Sequence, residues 1–149
     1  MSCPCSEIFD LMEIRRYRPD DQAALIELWT QCGLTRPWND PAKDIARKLK
    51  VQPELFLVGV VDGQLVASVM AGYDGHRGWV NYLAVAAAFR KRGLGRALMR
   101  RVEQDLKAMG CPKVNMQIRT SNVAVLAFYR DLGYEQDDTI SFGKRLIGD

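Results

Sequence analysis

The chain has 149 residues, 48% of them hydrophobic, a formal net charge of +3 and a pI near 8.7. That is enough apolar material for one globular core, and too slight a basic excess to argue for nucleic acid on charge alone. No apolar run approaches membrane-spanning length, and the first eleven residues lack the basic head and apolar stretch of a secretory leader. Cys3, Cys5, Cys32 and Cys111 show no zinc-ligand pairing, and one histidine cannot complete such a site. A reduced, cytoplasmic protein without a metal is expected. Met12 directly precedes the first strand pattern, so residues 1–11 read as a disordered extension or an over-called start, and residues 12–149 as a single domain.

Residues 13–17 carry a short β pattern. Pro19, Asp20 and Asp21 open an amphipathic helix bearing Leu25, Ile26, Leu28 and Trp29, which Gly33 ends. After a loop over 35–40, Pro41 starts a second short helix reaching residue 50. Strands over 55–61 and 64–72 are joined by Asp62 and Gly63, a strong hairpin signal. A turn over 73–78 leads to a strand at 79–85. A long helix over 93–109 stops at Gly110 and Pro112. A strand over 114–119, a helix over 121–132 and two closing strands from Tyr134 onward complete the order β-α-α-β-β-β-α-β-α-β-β. The strand–helix–strand over 79–119 calls for a parallel crossover, whereas the hairpin requires antiparallel neighbours. A mixed sheet with helices on both faces follows, in an α/β chain without repeats or linkers.

The stretch between strand 79–85 and helix 93–109 carries the chemistry. A strand feeding a glycine-containing turn at a helix N-terminus presents unpaired backbone N–H groups beside the positive end of the helix dipole. Gly93 and Gly95 remove Cβ atoms that would hold a diphosphate away from the backbone. Arg90, Lys91, Arg92 and Arg96 add positive charge, and residues 90–101 hold five Arg and one Lys without a carboxylate. A solvated helix face is the plain alternative, and a phosphate collar the sharper one. The spacing is neither that of a P-loop nor that of a dinucleotide fingerprint, and there is no Ser or Thr placed for magnesium.

Arg90, Gly93 and Gly95 in this spacing resemble the pyrophosphate-binding signature of the GNAT superfamily, the Gcn5-related N-acetyltransferases. Residues 122–134 (NVAVLAFYRDLGY), some thirty positions downstream, resemble the family's second motif. The likeness runs from about Glu13 to the end. Residues 36–41 (RPWNDP), 72–78 (GYDGHRG) and 143–147 (GKRLI) are similar to the YpeA-type bacterial members.

The resemblance implies a mostly antiparallel GNAT-type sheet with one parallel pair, the strands at 79–85 and 114–119, splaying apart. Acetyl-CoA is the implied co-substrate. Its pantetheine arm would lie in the gap along the backbone of Leu83 and Val85, a strand-addition mode of binding. Arg90, Lys91, Arg92, Gly93, Leu94, Gly95 and Arg96 would hold the diphosphate. Asn122 would bond the pantetheine amide, although as a residue it also suits a helix N-cap. Tyr129 would protonate the departing CoA thiolate, although it could simply pack, as Phe128 and Tyr134 do.

The implied activity is transfer of an acetyl group from CoA to an amine on a small molecule, protein or peptide, with neither nucleic acid nor membrane as partner. Oligomeric state is open, with a homodimer one admissible answer. The general base is undetermined. The strand at 79–85 has no carboxylate, and Gln117 stands where the ribosomal-protein acetyltransferases carry glutamate, and cannot take a proton. A water chain and a loop carboxylate such as Asp40 or Asp74 remain candidates, and a weakly basic amine would need no base. The loop holding Arg36, Trp38, Asn39 and Asp40 would meet the acceptor, unless Trp38 merely plugs it and Asp40 caps the next helix. His76 reads as a turn residue. Two other classes stand beside the enzyme: a non-catalytic acyl-CoA sensor, and a nucleic-acid binder using the basic helix, which lacks the interleaved aromatic residues such binders use.

Overall fold

The computed structural model describes residues 12–149, so the expectation for residues 1–11 lies outside the described residues. Two units divide the chain, one holding the residues up to Asn115 together with Asp149, the other Met116–Gly148.

The first unit is built on a sheet of order β1-β2-β3-β4-β5. Strand β1 (Met12–Arg16) lies antiparallel to β2 (Phe56–Val61), with Ile14 opposite Gly59. The Asp62 and Gly63 turn connects β2 to β3 (Gln64–Tyr73) as the sequence predicts. Both turn residues have positive φ, 50° and 77°, the geometry that a tight hairpin needs and that glycine supplies without strain. Strand β4 (Gly78–Val85) is antiparallel to β3. Strand β5 (Val114–Met116) follows the crossover helix and runs parallel to β4, beginning where Gly78 N donates to Lys113 O at 2.8 Å. It is three residues long against eight in β4, shorter than the 114–119 expected. The edge of β4 towards Val85 therefore has no ladder partner among the described residues.

Helix α1 (Gln22–Gln31) buries Leu25, Leu28 and Trp29, the one-face spacing of an amphipathic helix. A 3-10 turn (Pro19–Asp21) precedes it. Asp21 accepts from Arg18 N at 2.8 Å and pairs with the Arg15 guanidinium at 2.8 and 2.9 Å, which holds its carboxyl below the usual range. Helix α2 is Pro41–Lys48. One core gathers Tyr17, Leu25, Leu28, Trp29 and Ile45 over Phe56, Val58, Met70 and Ala84 of the sheet. The crossover helix α3 (Leu94–Ala108) packs on β2, β3 and β4 through Leu94, Leu98, Met99, Val102 and Leu106. Because side chains alternate along a strand, Leu57, Ala67, Val69 and Ala71 turn away from the first core and are buried as well. Helices thus cover both faces of a mixed, mostly antiparallel sheet.

In the second unit, helix α4 (Val123–Asp131) starts at Asn122, and Gly133 N returns to Arg130 O as it ends. The two closing strands expected from Tyr134 onward do not form: residues 134–148 contain no strand. Ile140, Phe142 and Leu146 are 83, 92 and 86% exposed. Apolar residues at alternating places suggested strands there, but a strand exists only as a hydrogen-bonded ladder, and no partner strand accompanies these residues.

Candidate active site

Leaving β4, the chain makes a 3-10 turn (Ala87–Phe89), extends at Arg90 and takes positive φ at Lys91 (61°) and Gly93 (81°) before entering α3. Gly93 is the N-cap residue, and no side chain caps the helix. The first helical bond is Ala97 N to Gly93 O at 3.0 Å, so the N–H groups of Leu94, Gly95 and Arg96 have no intrahelical acceptor. Leu94 is fully buried and fixes the turn, while Lys91 and Arg92 stand exposed. An uncapped helix start with bare donors, positive dipole and surrounding arginines is arranged to receive an anion.

The basic residues do not all point outwards. Arg90 folds back, its Nε donating to Val85 O at 3.0 Å and its Nη2 lying 3.5 Å from Cys32 Sγ. The Arg92 guanidinium sits 5.5 Å above the Phe89 ring, a cation–π contact.

Strand β4 is interrupted just where the sequence places pantetheine. Ser68 faces Ala84 and Met70 faces Asn81, so Val69 alone opposes both Tyr82 and Leu83. This β-bulge puts Tyr82 at φ 51°, a conformation that costs a non-glycine residue about 1–3 kcal/mol. Three contacts hold it there. Ser68 Oγ donates to Tyr82 O at 2.9 Å and accepts the Trp29 indole N–H at 2.9 Å. The Tyr82 ring stacks on Trp29, centroids 3.9 Å apart. Its hydroxyl donates to Asp44 Oδ2 at 2.6 Å, and burial pushes the phenol's pKa well up, so it stays a donor. Sequence reasoning missed Tyr82, Ser68 and Asp44. Ser68 left a trace, a single hydroxyl in the apolar run of residues 65–71.

The first helix–helix loop is largely self-engaged. Arg36 donates to the carbonyls of Gly33 and Thr35, and Trp38 is 51% exposed. Asp40 caps α2, Oδ1 accepting from Ala42 N at 2.9 Å and Lys43 N at 3.3 Å. Asp74 is a turn former: it takes the N–H groups of Arg77 and His76 and the Trp79 indole, which together lower its pKa. His76 is an exposed turn residue, as expected.

Asn122 and Tyr129 both belong to α4. Asn122 is its N-cap, Oδ1 accepting from Val125 N at 3.4 Å, which leaves the amide nitrogen as a donor. Tyr129 is buried, edge-on to Phe128 at 5.1 Å and Tyr134 at 5.6 Å, and burial raises its pKa strongly. Gln117 lies just beyond β5, bonded to the Ser141 hydroxyl.

The acetyltransferase (GNAT) family model matches residues 16–134. An acetyltransferase of Pectobacterium atrosepticum is 54% identical over 138 residues, covering 93% of this chain and 98% of the relative. One of Sodalis glossinidius is 52% identical over 139 residues, with the same coverage. Among solved structures, Ard1 from Thermoplasma volcanium superposes with a TM-score of 0.75 at 26% identity, covering 83% of this chain and 82% of that one. AAC(6')-Iy, solved with the bisubstrate analogue CoA-S-monomethyl-acetylneamine, reaches a TM-score of 0.74 at 18% identity, over 91% of this chain and 99% of that one, a likeness of fold. This chain belongs to the GNAT acetyltransferase family and is an N-acetyltransferase.

Proposed function

We propose that the chain transfers the acetyl group of acetyl-CoA to an amine, with the CoA diphosphate on the first turn of α3. The observation that carries this reading is the N-terminus of α3, capped by Gly93 alone and flanked by Lys91, Arg92 and Arg96. Backbone donors and dipole suit a diphosphate without any metal ligand. The partnerless edge of β4 at Leu83 and Val85 supports strand-like pairing with the pantetheine amides. Val85 O already accepts from Arg90 in the free protein, so Arg90 exchanges that carbonyl for phosphate when CoA enters. The Asn122 amide nitrogen offers the remaining pantetheine contact.

In the reaction the neutral amine attacks the thioester carbonyl, forming the C–N bond, and the tetrahedral intermediate expels sulfur as the C–S bond breaks. Tyr129 gives its proton to that sulfur, the amine's proton leaves to solvent, and Tyr129 regains a proton from solvent before the next turnover. Burial raises the Tyr129 pKa, so the hydroxyl still carries its proton in the resting enzyme. The AAC(6')-Iy complex, with its CoA-linked bisubstrate analogue, supports direct transfer over a covalent enzyme intermediate. The family match runs through both units, which supports reading residues 12–149 as one catalytic domain.

Thermal stabilisation by CoA tests the site. The wild-type protein gains melting temperature with CoA and Gly95→Trp does not, because the indole excludes phosphate from the helix start. Equal stabilisation of both proteins would move the diphosphate elsewhere.

A further inference from the structure

We propose that Asp44, presented by Tyr82, is the carboxylate that receives the cationic amine of the acceptor. This rests on the acetyl-CoA reading and adds to it the acceptor's chemistry and its first contact.

The argument starts from the bulge. Tyr82 and Leu83 share one opposing residue on β3, and Leu83 is where the pantetheine edge begins. Tyr82 directs its ring onto Trp29 and its hydroxyl onto Asp44. A carboxylate on α2 is thereby tied to the strand residue adjoining the thioester end of the CoA track. Strained backbone at a non-glycine residue, fixed by three independent contacts, is characteristic of a functional position.

Asp44 keeps capacity for a cation. Its side chain is 23% exposed, so an ammonium can reach it. Oδ2 takes the Tyr82 hydroxyl and Oδ1 takes Arg47 at 3.2 Å, each carboxylate oxygen retaining a second lone pair. Arg47 does not neutralise Asp44 alone, because it also pairs with the Asp149 carboxylate. Nearby, Lys43 donates to Asp149 O at 2.7 Å and the Asp40 carboxylate caps the helix. Lys48, one turn further along α2, is turned away into a buried bond to Ala71 O. Asp44 and Asp149 thus both set negative charge beside Tyr82. Asp40, which the sequence left between acceptor recognition and helix capping, is engaged in the cap, whereas the Asp44 side chain one turn later is 23% exposed.

Tyr82 is a positioning residue: it fixes Asp44 and does not touch the acetyl group. The partner chemistry is a protonated primary or secondary amine, held by Asp44 until it deprotonates and attacks.

The experiment follows CoA thiol release from acetyl-CoA with spermidine, kanamycin and trialanine as acceptors, alongside CoA thermal shifts. Asp44→Asn, nearly isosteric, raises the acceptor KM about tenfold or more, the loss of a charge-assisted contact of about 1.4 kcal/mol. The KM for acetyl-CoA stays within about twofold, as expected for a contact made to the acceptor alone. Asp44→Glu recovers part of the acceptor affinity. Tyr82→Phe, which keeps the Trp29 stack, raises the acceptor KM in the same direction by a smaller factor. An unchanged acceptor KM in Asp44→Asn, or an equal rise in both KM values, would overturn the assignment. If CoA stabilises the wild-type protein but none of the three cations is acetylated, the cation-receiving role falls and the CoA site stands. If CoA gives no stabilisation, both fall.

Discussion

Replacing Ser68 with alanine removes one oxygen and orphans two partners, one buried and one half-buried. Ser68 and Trp29 are both fully buried, and the serine hydroxyl joins the Trp29 indole N–H to the Tyr82 carbonyl at 2.9 Å on each side. A buried polar group left unpaired costs about 1–3 kcal/mol. The indole N–H is sealed at 0% exposure and incurs the full cost, whereas Tyr82 is only partly buried and its carbonyl incurs less. Ser68→Ala should therefore lose about 2–4 kcal/mol, far above the value for a serine-to-alanine change at a surface. Urea unfolding followed by tryptophan fluorescence measures it as a lower midpoint at constant m-value. The double variant Ser68→Ala with Trp29→Phe should be less destabilised than the two single losses combined, since the second change removes the donor that the first left unpaired. A loss below about 1 kcal/mol, or strict additivity, would show that neither group depends on Ser68. The positive φ of Tyr82 would then owe nothing to the serine bridge from β3.

Tyr129→Phe deletes only the hydroxyl and leaves the edge-on contacts with Phe128 and Tyr134 in place. Turnover should fall roughly 100-fold while the CoA thermal shift is preserved, and equal turnover would leave Tyr129 a packing residue. Asp40→Ala removes the cap of α2 and should lower stability by about 1 kcal/mol without changing the ranking of amine acceptors, so a changed ranking would return Asp40 to recognition.

Local chemistry was enough for much of this protein. Asp62 and Gly63 can do little but turn a hairpin, and the left-handed cap at Gly93 follows from a glycine between a strand and a helical pattern. Leu25, Leu28 and Trp29 declare the buried face of α1 by spacing alone. The arginine and glycine pattern after β4, with the motif over 122–134, identified the family because each is a short contiguous stretch whose residue order alone carries the resemblance. The folded structure decided between local alternatives and fixed what depends on distant partners. Asp40 could bind a substrate or cap a helix until its distances to Ala42 N and Lys43 N were known. Residues 134–148 alternate like strands, but a ladder needs a partner that no local pattern supplies. The bulge, which sets two residues of β4 against Val69, is a matter of register between strands. It brings Tyr82 to Asp44 across 38 positions of sequence, a meeting that no spacing rule along the chain could reveal.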